Sequence, residues 1–295
     1  MAKWLQSQDQ LRLQVADGVA RITLNRPDRR NALSWEMLTE LRGALLEADD
    51  LNAVNVIVLE GAGPSFCAGY DMKSAYARYA SEDGASLDYR SGSASFDDDA
   101  WKLERFQELL RTAFVVHKPV IAKVHGYCVA GGTDLALYCD LVIAADDARI
   151  GFPATRAMGS PPNHMWFYNV GPQWAKRLLL TGDMVSGADA ARIGLAVQSV
   201  PPERLDEEVM ALARRMATID AELLATQKRI VNLALELAGA GTLPRLAAEM
   251  DARAHLSRAK KEFDADVAAL GFKAAVKKRD EPFGDGLAHP GHPAA

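Results

Sequence analysis

Short apolar runs, each closed by a glycine-bearing turn or an amphipathic helix, set the rhythm of the first two hundred residues. Residues 11–15 alternate apolar and polar positions, as a strand with one buried face does, and Asp17-Gly18 supplies a two-residue hairpin turn. Residues 19–24 pair back before Asn25-Arg26-Pro27-Asp28 breaks the strand. A helix then runs to about Asp49, with Asn31 or Ser34 as its cap and Leu38, Leu41, Leu45 and Leu46 on its buried face. Residues 54–59 are continuously apolar, which marks a strand covered on both faces. Residues 120–124, 141–144 and 197–200 repeat that pattern. Strand, turn and helix recur without a fixed period, so a coiled stack of ββα turns fits better than a doubly wound sheet.

Two stretches depart from the rhythm. Residues 74–100 hold Tyr76, Tyr79, Tyr89, several glycines and serines and the run Asp97-Asp98-Asp99. This insertion reads equally as a surface loop or as a lid over a ligand. A helix follows over 101–114. From Pro201 the chain turns helical and alanine-rich, with amphipathic segments at 205–216, 221–237 and 243–258 and one more over 259–279. The expected organisation is a spiral core over 1–200, a helical region over 201–279 and a disordered, Pro- and Gly-rich tail over 280–295.

Composition narrows the class. Over 295 residues, 49% apolar and 25% charged content is that of a globular protein. A formal charge of −5 argues against broad nucleic-acid binding, and no apolar run reaches the ~18 residues of a membrane span. Three cysteines, an odd number, point to reduced thiols and a cytoplasmic setting. No metal-binding cluster is expected, since His289 and His292 sit in the tail.

The candidate chemistry lies in two glycine-bearing segments, each following an apolar strand. One is Phe66-Cys67-Ala68-Gly69-Tyr70-Asp71-Met72; the other is His125-Gly126-Tyr127-Cys128-Val129-Ala130-Gly131-Gly132-Thr133-Asp134-Leu135. Glycines there let backbone N–H groups approach a ligand closely. Two such donors converging on a carbonyl oxygen stabilise an enolate or tetrahedral oxyanion. Gly131 and Gly132 also open a helix, whose first N–H groups are unpaired and lie at its positive end.

With Leu24-Asn25-Arg26-Pro27, Asn31-Ala32-Leu33, both glycine segments, Cys139-Asp140-Leu141, Thr181-Gly182-Asp183, Ala188 to Leu195 and Ala275-Val276-Lys277-Lys278-Arg279 in this order, the chain resembles the crotonase, or enoyl-CoA hydratase/isomerase, superfamily over about residues 11–283. The resemblance implies an α/β fold, a crotonase-like ββα spiral core with a C-terminal helical trimerisation region, and homotrimers or hexamers made as dimers of trimers. It implies an acyl-CoA thioester as ligand, with coenzyme A as part of the substrate and no separate cofactor. The family's two oxyanion-hole amides fall on Tyr70 and Gly131. Coenzyme A is expected along residues 25–33 and 68–73, with Ala68 and Met72 at the adenine edge and Arg26, Arg29, Arg30 and Lys73 as candidate phosphate partners. Lys278 matches a lysine that reaches a neighbouring subunit's coenzyme A, although Ala275 stands where an aromatic is usual.

The departures bear on the reaction. Family hydratases add water across C2=C3 with two glutamates. The first aligns with Asp134, whose shorter side chain withdraws the carboxylate by about 1.5 Å. The second aligns with Ala154, which has no proton to exchange. His164 is a candidate compensating acid or base, and Arg156 a candidate anchor for a polar acyl tail. The leading expectation is hydration of a trans-2-enoyl-CoA to a 3-hydroxyacyl-CoA. Isomerisation, hydrolysis or C–C cleavage of another acyl-CoA, and a non-catalytic acyl-CoA-binding protein, remain the alternatives.

Overall fold

In a computed structural model, which describes residues 2–72 and 95–290, the apolar runs become nine strands in two sheets. They are β1 (Leu11–Ala16), β2 (Val19–Leu24), β3 (Val56–Gly61), β4 (Val120–Val124), β5 (Tyr127–Val129), β6 (Leu141–Ala145), β7 (Arg149–Gly151), β8 (Met184–Ser186) and β9 (Gln198–Val200). The large sheet has the order β1-β2-β3-β4-β6-β9 and is parallel except for the β1–β2 hairpin. Asp17 (φ 53°) and Gly18 (φ 74°) make that hairpin's turn, and two successive left-handed residues match the twist of the strands. The small sheet joins β5 to β7 in parallel and β7 to β8 antiparallel. Successive strands thus pass from one sheet to the other, which is the expected spiral.

The helices are α1 (Trp35–Asp50), α2 (Phe96–Leu110), α3 (Thr112–Val115), α4 (Gly131–Ala136), α5 (Trp166–Leu179), α6 (Gly187–Arg192), α7 (Leu205–Ala217), α8 (Ala221–Leu235), α9 (Leu243–His255), α10 (Arg258–Leu270) and α11 (Phe272–Asp280). Val56, Ile57, Val58 and Leu59 of β3 are fully buried, as a strand covered on both faces must be. Met37, Leu38, Leu41 and Leu45 of α1 are fully buried too. Ser34 caps α1, its hydroxyl accepting the Met37 N–H at 3.2 Å. Asn31 has a different task. At φ 56° its buried side chain accepts the Arg26 N–H and donates to the Ala62 and Ser65 carbonyls.

Three boundaries differ from the sequence reading. Helix α2 begins at Phe96 rather than 101, because the Ser95 hydroxyl accepts the Asp98 N–H and the three aspartates occupy the first turn, where the helix dipole favours them. The remainder of the insertion, residues 74–94, lies outside the described residues, and the lid expectation with it. The helix expected over 259–279 is broken at Gly271 (φ 81°) into α10 and α11.

The third correction concerns the tail. Residues 280–290 are ordered. The Met184 N–H bonds the Gly286 carbonyl and the Ala288 N–H bonds the Met184 carbonyl, both at 2.8 Å. The segment thereby satisfies the open edge of β8, which its Pro and Gly content did not announce. Arg156 holds the same segment down. Its guanidinium bonds Asp183 and Asp280, each at 3.1 Å, and lies over the Phe283 ring.

Candidate active site

The two glycine segments meet edge to edge. The Phe66 N–H bonds the His125 carbonyl, the Cys67 N–H that of Tyr127, and the Val129 N–H that of Cys67. On its other side the first segment is clamped to α1's approach: Leu33 N–H bonds the Gly69 carbonyl and Asp71 N–H bonds the Leu33 carbonyl. Tyr70 sits between these two bonds, so its own N–H faces away from Leu33. In the second segment Ala130 adopts φ 49°, ψ −121°, a conformation that L residues rarely hold. Its N–H bonds Gly151 and its carbonyl accepts from Thr133 and Asp134, which leaves Gly131 as the first residue of α4. Among the described residues neither the Tyr70 N–H nor the Gly131 N–H has a hydrogen-bond partner. Gly69 (φ 100°) lets the strands close up, since a methyl there would stand 3.1 Å from both the Ala130 Cβ and the Val129 carbonyl oxygen. Two free amide donors on adjoining, mutually bonded turns can donate to one oxyanion.

Asp134, one turn into α4, is fully buried. The Tyr70 hydroxyl donates to its Oδ2 at 2.9 Å and accepts from Gln107 Nε2 at 2.7 Å. Gln107 Oε1 accepts from Asn163 Nδ2, which also donates to the Asp134 carbonyl. Asp134 Oδ1 is buried with no partner among the described residues. Burial pushes the Asp134 carboxyl well above the usual range; the Tyr70 hydrogen bond pulls it down in part, and the charge of Asp251 adds to the rise. Burial also pushes the Tyr70 hydroxyl well up. Such a carboxyl is poised to stay protonated and to give a proton from Oδ1.

The Tyr70 ring closes over the hole: a Cβ on Gly131 would meet it at 2.9 Å. The family resemblance gives Tyr70 a role through its backbone N–H alone. Its hydroxyl instead ties Asp134 to Gln107, and Gln107 and Asn163 had no local signal in the chain. Only the fold brings α2 and the 160s loop against α4.

The remaining candidates divide. The Arg156 side chain is 3% exposed and fully engaged with Asp183, Asp280, Thr181 and Phe283, so it ties down the C-terminal segment and is not an acyl anchor. Arg26 pairs with Asp71 at 2.7 Å and donates to the Ala32 carbonyl, so it is not a free phosphate arm. Arg29 and Arg30 are exposed; Arg30 lies over the Tyr127 ring at 5.2 Å. Ala68 uses its N–H on the Arg30 carbonyl, and Met72 is half-buried beside it. Lys73 lies outside the described residues. Lys278 pairs with Asp266 at 2.7 Å, above a buried Ala275. Ala154 packs against the core, and its carbonyl accepts the Met158 N–H. His164 (φ 53°) follows Asn163, is half-buried, and has no ring partner among the described residues; burial lowers its pKa, which keeps it neutral at pH 7. Burial pushes the Cys67 thiol up to about 12 and that of Cys128 well up, so neither is a nucleophile. Among the described residues no helix is long and apolar enough to cross a membrane.

A family model described as enoyl-CoA hydratase/isomerase matches residues 14–285. A crotonyl-CoA hydratase from Syntrophomonas wolfei is 34% identical over 212 residues, covering 69% of this chain and 74% of that protein. The solved structure of an enoyl-CoA hydratase from Mycobacterium smegmatis superposes with a TM-score of 0.87 at 36% identity, over 96% of this chain and 97% of that one. An enoyl-CoA hydratase/isomerase from Xanthobacter autotrophicus superposes with a TM-score of 0.84 at 33% identity, over 94% and 99% of the two chains.

Proposed function

The chain belongs to the enoyl-CoA hydratase/isomerase family, and on that footing we propose that it hydrates a trans-2-enoyl-CoA to the 3-hydroxyacyl-CoA. The observation that carries this reading is that the Tyr70 and Gly131 N–H groups and the Oδ1 of buried Asp134 have no partner among the described residues. The thioester oxygen lies in the hole, so that attack at C3 places negative charge where two fixed donors await it. Asp134 then gives its proton to C2, and the enolate collapses to the product. Coenzyme A runs along residues 25–33 and 68–72, with exposed Arg29 and Arg30 toward its phosphates. Exposed Leu223, Ile230, Val231 and Leu237 on and after α8 support a homotrimer or a dimer of trimers. The three buried free cysteines fit a cytoplasmic setting, and the addition–elimination chemistry is that of a lyase.

Purified protein assayed with crotonyl-CoA and longer enoyl-CoAs tests this. The conjugated thioester absorbance should disappear, and Asp134→Ala should slow its loss by about 1,000-fold or more while leaving CoA-ester binding intact. Tight binding with no turnover across the panel would instead identify a non-catalytic acyl-CoA-binding protein.

A further inference from the structure

Ala154 leaves the site without the second carboxylate that the family resemblance implies, yet another carboxylate reaches the same loop. Asp251, on α9, is 5% exposed, and its Oδ1 accepts the Ser160 N–H at 2.7 Å. That loop is continuous with the turn at 153–156, because the Met158 and Gly159 N–H groups both bond the Ala154 carbonyl. Gly159 makes the room: a Cβ there would stand 2.2 Å from Asp251 Oδ1. Its φ is not positive, so the glycine is required by space rather than by backbone conformation. Asp251 Oδ2 makes no hydrogen bond among the described residues, and the neighbouring Ser160 hydroxyl is buried without a partner. Asp251 is also the charge that acts on both Asp134 and Tyr70. Asp251 Oδ2, the Ser160 hydroxyl and Asp134 Oδ1 are thus three oxygens without a hydrogen-bond partner among the described residues, and the loop that carries Ser160 runs on to Asn163, which bonds the Asp134 carbonyl.

Behind Asp251 stands a route outward. His255 Nε2 is 3.7 Å from Asp251 Oδ1, and His255 Nδ1 is 2.6 Å from Asp99 Oδ2. Asp99 in turn pairs with Lys102 at 2.5 Å, and the His255 side chain is 28% exposed.

We propose that Asp251 is the second catalytic carboxylate of this site, the base that deprotonates the attacking water, with His255 and Asp99 as the positioning residues and proton route behind it. The inference rests on the hydratase reading above. In the step, Asp251 takes one proton from water, the hydroxide oxygen bonds C3, and the C2=C3 electron pair moves into the thioester enolate. Asp134 then gives its proton to C2. Net H and OH are added, and the proton on Asp251 leaves through His255 to solvent while Asp134 is reprotonated.

Charge and burial agree with the division of labour. Burial pushes the Asp251 carboxyl up to about 6, with His255 and the Ser160 hydrogen bond pulling it down, Asp99 raising it and Lys102 lowering it. The groups facing it are His255 on its own helix, Asp99 and Lys102 on α2, Ser160 on the loop, and Asp134 and Tyr70 across the site. As a base Asp251 must be ionised, so kcat/KM falls as pH drops through about 6. As an acid Asp134 must be protonated, so activity falls again as pH rises through its own elevated pKa.

The test is the pH profile of enoyl-CoA hydration for the unmodified protein and for Asp251→Asn, which keeps an acceptor for the Ser160 N–H. The unmodified protein should hydrate with an acid limb near pH 6. Asp251→Asn should lower kcat by about 100-fold or more, leave KM within about threefold and abolish that limb. Adding Ala154→Glu to Asp251→Asn should restore at least about tenfold, and more than Ala154→Glu adds to the unmodified protein, whereas a merely structural Asp251 would give equal gains in both. An Asp251→Asn variant with kcat within about threefold overturns the proposal but leaves the hydratase reading intact. An unmodified protein that hydrates no enoyl-CoA overturns both. Should the variant fail to fold, the unmodified profile decides, and hydration without an acid limb near 6 rejects the proposal.

Discussion

One wall of the site is backbone and the other is side chains. Tyr70 and Gly131 offer amides whose positions follow from a ladder between residues 66–67 and 125–129. Gln107 and Asn163 come instead from α2 and the 160s loop, and they meet only through their side chains. The backbone wall is organised before any ligand arrives, because its donors are fixed by bonds that no substrate has to make. The side-chain wall can be rewritten one residue at a time, as Ala154 opposite Asp134 illustrates. On the proposed hydratase reading, binding of a thioester oxygen belongs to one wall, and the choice of reaction to the other.

Three substitutions would break or sharpen that contrast. The largest effect is expected for Gly131→Ala, whose Cβ would meet the Tyr70 ring at 2.9 Å. Displacing the ring damages the hole and the Asp134 hydrogen bond together, so kcat for enoyl-CoA hydration should fall by about 100- to 1,000-fold. Retained activity would mean that the hole is less fixed than its ladder implies. Tyr70→Phe spares the amide and removes only the hydroxyl. A loss of about tenfold is expected, and because that hydrogen bond holds the Asp134 pKa down, the alkaline limb of the rate profile should move to higher pH. A limb that moves down would reverse the roles assigned to the pair. Arg156→Met should leave kcat within about threefold, since Arg156 belongs to neither wall. Thermal or denaturant unfolding should nonetheless show a loss of about 3 kcal/mol, because Asp183 and Asp280 lose a buried partner.

The same contrast explains what the chain revealed on reading. The amides of Tyr70 and Gly131 sit in contiguous motifs, and a short motif fixes its own backbone. The spiral was legible for a similar reason: each apolar run, such as residues 56–59, is a strand complete in itself. Gln107 was not legible, because nothing in a helical stretch distinguishes a glutamine that faces the core from one that faces water. Asp251 and His255 carried no motif, and Gly159 gave no hint that it leaves space for a carboxylate ninety residues away. Arg156 lay near the lost glutamate in sequence and was misread as a ligand residue, whereas its partners, Asp183 and Asp280, lie far along the chain. Composition failed at the other end, where Pro- and Gly-rich residues 280–290 are held by edge pairing and an arginine.

That edge pairing has a kinetic side. Met184 and Leu287 bridge across about a hundred residues of chain, most of them helical. Closing so long a loop carries a large entropic cost until the intervening helices have compacted it. The small sheet, whose first strand leads directly to Gly131, therefore receives its last neighbour only after the helical region has formed. A sheet that begins beside Gly131 is thus completed by one of the most distant contacts in the chain.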